Sequence, residues 1–150
     1  MKKILFILLM IIAGVGTSHA IFDKYTLDRD QLPEKAQEML NTYFPKAKVG
    51  MIKVDKHLLK KTDYDVKLVN GTKIEFSNKG AWTSVDCGSK ALPEGLVPKT
   101  VAKYINKNFP DAKAVKIKKK ASGYEVGLSD GVELKFNLLG QFKGVKSIDD

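Results

Sequence analysis

The side chains that carry most enzyme chemistry are scarce in this sequence. After residue 20 the chain has one histidine, His57, and one cysteine, Cys87. A Ser-His-Asp or Cys-His arrangement would have to use His57, and nothing beside it suggests an orienting partner or an oxyanion hole. The spacings of zinc and calcium sites are missing, as is a glycine-rich turn to cradle a phosphate. We therefore predict no catalytic residue, no metal site and no cofactor, and a protein that is not an enzyme.

Cys87 cannot form an internal disulfide because the chain has no second cysteine. Two interpretations stay open in an oxidising compartment. The thiol is either a small, partly buried residue near a strand end, or it forms an intermolecular disulfide or reacts.

Charged residues are abundant, and lysine dominates them. Lys and Arg number 26 against 17 Asp and Glu, a net charge of +9, and Arg29 is the only arginine. Lysine is a solvated point charge, whereas arginine suits planar recognition of phosphate. The composition favours attraction to acidic proteins or anionic surfaces and argues against nucleic-acid recognition. Many lysines lie near the first hairpin of each half of the chain: Lys53, Lys56, Lys60 and Lys61, then Lys116, Lys118, Lys119 and Lys120. They either blunt sheet edges against aggregation or form a docking site.

The first 20 residues have the pattern of a secretory signal. Lys2 and Lys3 precede an apolar run over 4–15, and Ser18-His19-Ala20 supplies small residues for cleavage after Ala20. The run is too short to cross a bilayer, and no later run would span one. We predict a periplasmic or secreted protein of residues 21–150, in which loss of the two lysines lowers the net charge from +9 to +7.

The remaining chain repeats itself. "YFPKAKV" at 43–49 returns as "NFPDAKA" at 108–114, and the match extends in both directions. The offset is 65 residues over the first part of the repeat and 60 over the second, because the stretch 54–63 is longer than its counterpart 119–123. An insertion confined to one stretch indicates a hairpin loop that has grown.

Each copy begins with a helical pattern. Ala36, Leu40 and Phe44 recur at helical spacing, and so do their counterparts Val101, Ile105 and Phe109. We predict Asp30 as the N-cap of the first helix, with Pro33 and Pro98 in the first turns. Pro45 and Pro110 should end the helices, because the residue before a proline is pushed out of the α region.

Alternating strands follow each helix. In "YDVKLV" Tyr64, Val66 and Leu68 face one way, and residues 73–76 alternate in the same manner. The phase of this alternation requires a three-residue loop, 69–71, so that Leu68 pairs with Thr72; we expect positive φ at Gly71 and at its counterpart Gly131. The predicted fold is α+β: a tandem repeat of helix plus four-stranded antiparallel meander, forming one roughly eight-stranded sheet with two helices on one face. The boundaries are 21–86 for the first module, 87–94 for the linker and 95–150 for the second module.

The other face of this sheet should be polar and open to water. On it Asp65 lies opposite Glu75 and Lys67 opposite Lys73, whereas Glu125 lies opposite Lys135. Like charges across a ladder are destabilising. Either diagonal neighbours relieve them, Asp65 with Lys73 and Lys67 with Glu75, or the face is shaped for a partner. Trp82 is expected in the core near Phe76, with a role as an exposed stacking platform as the alternative.

The combination resembles a known family. A signal peptide followed by two copies of "LPxxAxxxLxxYFPxAxV … YxVxLxNGxxIxFxxxGxW", at 32–85 and 97–142, is similar to the PepSY-like family of small secreted bacterial proteins. The resemblance implies the fold of the beta-lactamase-inhibitor protein, with tandem helix-plus-four-strand modules. The family's name implies inhibition of secreted enzymes, but a fold does not transmit an activity, and no inhibitory residue is carried over.

Three functions follow as hypotheses. The first is a non-enzymatic binding module that engages a protein of the cell envelope, including an enzyme that it restrains. The second is a binder of anionic glycan or lipid headgroups through the lysines. The third, a hydrolase, would need a concave pocket that the sequence does not indicate. The candidate partner-binding residues are Asp65, Lys67, Lys73, Glu75, Glu125, Glu133, Lys135, His57, Lys60, Lys61, Lys118, Lys119 and Lys120.

Overall fold

The computed structural model describes residues 23–55 and 63–146. The predicted signal segment with its cleavage site, and the loop residues His57, Lys60 and Lys61, lie outside the described residues. The elements are a 3-10 helix (Arg29–Gln31), helices α1 (Glu34–Tyr43) and α2 (Lys99–Asn108), and strands β1 (Asp23–Thr26), β2 (Val49–Asp55), β3 (Asp63–Leu68), β4 (Lys73–Phe76), β5 (Trp82–Asp86), β6 (Ala114–Lys120), β7 (Gly123–Leu128), β8 (Glu133–Asn137) and β9 (Phe142–Val145).

The strands form one antiparallel sheet in which spatial order follows chain order from β1 to β9. The predicted α+β fold is confirmed, with one strand more than the roughly eight expected. The additional strand is β1, which pairs with β2 from Asp23↔Asp55 to Thr26↔Ile52. The two copies of the repeat join where β5 pairs with β6, with Val85 opposite Ile117. A single sheet therefore runs through both copies.

The helices start and stop beside the prolines. Pro33 and Pro98 are the N-cap residues, one position before the predicted first turn. The prediction of Asp30 as N-cap is wrong: Asp30 lies in the 3-10 helix, where its backbone N–H donates to the side chain of Asp28 at 2.9 Å. This short helix separates Asp30 from the start of α1 and uses it locally. Both helices end before the Phe-Pro pairs, as predicted.

Both helices pack on one face of the sheet and share one core with it. The helices contribute Ala36, Leu40, Val101 and Ile105 to a single buried cluster. Fully buried strand residues come from both copies of the repeat: Ile52, Val66, Ile74, Val85, Ile117, Val126 and Leu134. A shared core suits copies of this size, because a unit of about 60 residues buries too little surface on its own.

The loops after β3 and β7 have the predicted three-residue form. Leu68 N–H donates to Thr72 O at 2.8 Å, and Val66 lies opposite Ile74. Gly71 and Gly131 have φ of 92° and 90°, a region that glycine adopts without steric cost. The loop geometry sets the register that keeps the apolar residues of β3 and β4 on the core face.

Cys87 follows β5 and is 9% exposed, which agrees with a buried residue near a strand end. Burial raises the pKa of its thiol, which disfavours the reactive thiolate. In the described part of the chain neither helix is long and apolar enough to cross a membrane.

Candidate binding face

The face opposite the helices carries charged residues from every part of the sheet. Alternation places them there, because the apolar residues of the same strands occupy the core face. Successive cross-strand partners form one row across all nine strands: Tyr25, Lys53, Asp65, Glu75, Ser84, Lys118, Glu125, Lys135 and Gly144. Both predicted like-charge pairs, Asp65 with Glu75 and Lys67 with Lys73, are direct partners. We call this surface the polar face.

A depression of about 270 Å³ lies in the middle of the polar face. It covers the β5–β6 junction, where the two copies of the repeat meet. Its floor includes Gly127, where a Cβ would lie 3.3 Å from Cβ of Lys116, so the missing side chain leaves room. The lining residues are Lys73, Glu75, Ser84, Asp86, Lys116, Lys118, Glu125, Gly127, Glu133 and Lys146. We call it the central depression.

Ion pairs organise one side of the central depression. Glu125 binds Lys120, and its other carboxylate oxygen accepts from Lys146 Nζ at 3.0 Å. Hydrogen bonding to Lys120, the largest effect, and to Lys146 holds the pKa of Glu125 below its usual range. A weaker pair joins Lys116 to Glu133 at 3.7 Å. Glu125 is thus held in place by two lysines before any partner arrives.

A second depression of about 240 Å³ lies beside the first and shares Lys73 and Glu75 with it. It contains Asp65, whose pKa is raised to about 6 by burial first, then by a hydrogen bond with Asp55 and by the charges of Asp55 and Glu75. The compensating cation is Lys53, which lies on β2 and also pairs with Asp55 at 3.1 Å. The sequence had suggested Lys73 on the diagonal for this role.

The lysine run at the end of β6 does not form one surface. Lys118 and Lys120 belong to the polar face, where they flank Glu125. Lys119 lies on the helix side, with its Nζ 4.5 Å from the ring centroid of Trp82. Trp82 itself is half-buried against the core and opposite Phe76, as expected. The strand period of two separates neighbouring lysines, so the expected cluster 118–120 is divided between the faces.

Five residues of the central depression were absent from the candidate partner-binding set: Ser84, Asp86, Lys116, Gly127 and Lys146. Of these, only Lys116 had been named among the lysines near the first hairpins. Ser84 and Asp86 alternate with the buried Val85 along β5. The alternation rule that assigned Asp65 to the polar face would have assigned these two residues to it as well. Lys146 lies just beyond β9, where the backbone bond from its N–H to Glu133 O, 2.8 Å, and the ion pair with Glu125 hold it at this face. Within 23–55 and 63–146 no three His, Cys, Asp or Glu side chains are placed to hold a metal ion.

Comparisons with known proteins agree with this architecture. Residues 62–144, more than half of the chain, match the family model described as "Putative beta-lactamase-inhibitor-like, PepSY-like". No curated protein matches the chain.

Three solved structures from Bacteroides are similar over most of their length. A "putative periplasmic protein of unknown function" from Bacteroides vulgatus is 38% identical, covers 83% of this chain and 99% of its own, and superposes with a TM-score of 0.79. A "putative calcium-regulated periplasmic protein" from Bacteroides thetaiotaomicron is 36% identical, with coverage of 83% and 97% and a TM-score of 0.78. A second Bacteroides vulgatus protein, also a "putative periplasmic protein", is 40% identical, with coverage of 83% and 97% and a TM-score of 0.77.

The helix-and-meander repeat, the matching family model and these solved relatives agree, and the chain belongs to the PepSY-like, beta-lactamase-inhibitor-like family.

Proposed function

We propose that this chain is a periplasmic binding protein that has no catalytic activity and engages a protein partner through the central depression. The observation that carries the proposal is that no described element covers the polar face, although both helices cover the opposite one. The signal-like segment at 1–20 and the descriptions of the relatives support the periplasmic location.

The charge of the central depression favours a protein over an anionic ligand. Its lining contains four lysines and four carboxylates, so the two signs balance. Two of these lysines, Lys116 and Lys146, are already bound to Glu125 or Glu133. A glycan or lipid headgroup with negative charge would prefer a surplus of cations, whereas protein surfaces present both signs in a fixed pattern.

The partner that we propose is an envelope or secreted enzyme whose activity the chain restrains. Support comes from the family description, which names likeness to a beta-lactamase inhibitor. A preorganised surface also suits this role, because ion pairs that hold side chains in place lower the entropy lost on binding. One relative is described as calcium-regulated; the described residues here do not fit a metal site, and the proposal involves no calcium.

Site-specific photocrosslinking in the native cell envelope tests the proposal. A photoreactive residue at Ser84, in the central depression, should capture one protein, whereas the same residue at the exposed Asn106 on α2 should not. The captured protein is then purified, and its affinity for this chain is measured. Lys118→Glu should weaken this binding at least about tenfold, because reversal of a charge at the contact adds repulsion.

Lys119→Glu is the matched control, since it makes the same change one residue away on the helix side. Equal capture from both positions, or equal losses from both lysine variants, would remove the polar face as the binding site. Binding of anionic vesicles or glycans that Lys118→Glu abolishes would replace the protein partner with the alternative ligand class.

A further inference from the structure

No strand among residues 23–55 and 63–146 pairs with the outer edge of β9, and the chain's internal repeat shows how such an edge is covered. β5 and β9 are equivalent strands: Val85 lies opposite Ile74, and Val145 lies opposite the counterpart Leu134. β5 has a neighbour on each side, β4 and β6, whereas β9 has only β8 among the described residues. β9 therefore ends the sheet at a point where the repeat continues after β5.

Burial shows what the missing neighbour would cover. Val85 has a partner on each side, Ile74 and Ile117, and is 0% exposed, whereas Val145 is 60% exposed. Phe142, at the other end of β9, is 37% exposed, and Leu138 and Leu139 are exposed in the β8–β9 turn that precedes it. An exposed apolar residue on a strand edge that no described strand pairs with indicates an interaction site.

We propose that the β9 edge binds an extended segment of a protein partner, which adds a tenth strand with an apolar residue opposite Val145 and acidic residues on either side. This site lies at the end of the sheet, and the inference does not depend on the proposed function of the central depression.

The β5–β6 pairing supplies the template for the added strand. It consists of three consecutive partners: Ser84↔Lys118, Val85↔Ile117 and Asp86↔Lys116. The equivalent positions on β9 are Gly144, Val145 and Lys146. Lys146 N–H points toward β8, where it donates to Glu133 O, so the N–H of Val145 points outward in an antiparallel ladder and can pair with a new strand.

The charges at this edge select an acidic segment. Where β5 has Asp86 opposite Lys116, β9 has Lys146. Lys143 is exposed beside it and lines a shallow depression with Lys120 and Lys135. Lys146 already pairs with Glu125 and Glu133, and the other flanking position faces Gly144, which has no side chain. A strand of the β6 type, with lysines flanking its isoleucine, would add two cations to this lysine-rich edge, whereas carboxylates at the same two positions would add the opposite charge.

A second copy of this chain fits less well than an acidic segment. Pairing of β9 with β9 would bring Lys143 and Lys146 of each copy to one short contact. Edge lysines of this kind oppose self-association. The preferred partner is therefore a strand of different composition.

Two synthetic peptides test the inference against the full chain without its signal segment. The probe has the sequence of residues 112–119 with Lys116→Glu and Lys118→Glu, and the control peptide has the unchanged sequence. By fluorescence anisotropy the acidic peptide should bind at least about tenfold more tightly than the basic one. Hydrogen exchange at Val145 should slow on binding, while that at Lys146 should change little because its N–H is already bonded.

Two variants give the result a matched control. Val145→Asp should weaken binding of the acidic peptide by about tenfold or more through lost apolar contact and added repulsion. Val69→Asp, at a turn valine that is 68% exposed, should leave it unchanged. Lys143→Glu should reverse the preference, with the acidic peptide weaker and the basic peptide stronger.

Equal affinity for both peptides, or equal effects of the two aspartate variants, would overturn the inference. So would a dimer in sedimentation that Val145→Asp dissociates, because a second copy would then occupy the edge.

Discussion

Asp65 on β3 lies directly opposite Glu75 on β4, and both carboxylates line the same depression on the polar face. Burial, a hydrogen bond with Asp55 and the charge of Glu75 raise the pKa of Asp65 to about 6, although Lys53 acts in the opposite direction. In the neutral range this group is therefore ionised at a free-energy cost that the folded chain carries.

The pH dependence of that cost has a definite sign. Because the folded-state pKa lies above the unfolded value of 3.8, the folded state binds more protons between about pH 4 and pH 6. The contribution of Asp65 to stability is fully present below the unfolded pKa and is lost as the pH rises through about 6. The free energy of unfolding should therefore fall as the pH is raised from about 4 to about 6.

Asp65→Asn should therefore stabilise the chain at pH 7.5 by about 1 kcal/mol, a value kept small because solvent screens a partly exposed carboxylate. Asparagine can still hydrogen-bond to Asp55. Urea unfolding of both proteins at pH 7.5 and pH 4 measures the effect, which should shrink at the lower pH. The same difference at both values would show that charge is not its cause.

Glu125 should show the opposite pH dependence. Its pKa is lowered by Lys120 and Lys146, so its contribution to stability is present above the unfolded pKa and is lost as the pH falls through the lower folded value. Glu125→Gln should reduce the free energy of unfolding at pH 7 by up to about 1 kcal/mol and have little effect near pH 2.

Glu133→Gln is the control for Glu125, because its lysine contacts are longer, at 3.7 and 3.9 Å, and its side chain is more exposed, at 37% against 12%. Its effect should be smaller in the same unfolding experiment. A larger loss from Glu133→Gln would mean that Glu125 is not the centre of the ion-pair network.

Lys119 and Trp82 connect β6 to β5 on the helix side, with the ammonium 4.5 Å from the ring centroid. Lys119→Gln should cost about 0.5–1 kcal/mol, the usual value of a cation–π contact, and should change the fluorescence of the chain's single tryptophan. Lys118→Gln, one residue away on the polar face, should leave the emission unchanged. Equal emission changes from the two variants would contradict the separation of these lysines between the faces.

The thiol of Cys87 should react slowly in the folded chain. It is buried, and burial raises its pKa, so little thiolate is available at neutral pH. Labelling with a thiol-specific reagent should be at least about tenfold slower than for the urea-unfolded chain. Rapid labelling, or a disulfide-linked dimer on a non-reducing gel, would support the alternative reactive role.

Local patterns were sufficient for most of the fold. Helix spacing and the Phe-Pro pairs placed α1 and α2, and the phase of the alternation predicted the loop at Gly71. β1 was missed because its four residues, with no apolar alternation, resemble a connecting segment. Asp30 was misassigned because its type suits a cap, whereas the 3-10 helix before α1 uses it locally.

The sequence by itself determined two copies of a helix-and-meander unit, with one apolar and one charged face. The spacing of apolar residues in a helix or a strand repeats within a few residues and can be read locally. Only the tertiary structure decided that β5 pairs with β6 with Val85 opposite Ile117, and this register brings Ser84, Asp86, Lys116 and Lys118 into one depression. Strands that a helix separates in the chain take their register from the core that both helices share. The position of Lys119 over Trp82 depends on this packing between the copies, whereas the ion pairs of Glu125 and the raised pKa of Asp65 depend on side-chain contacts within one copy.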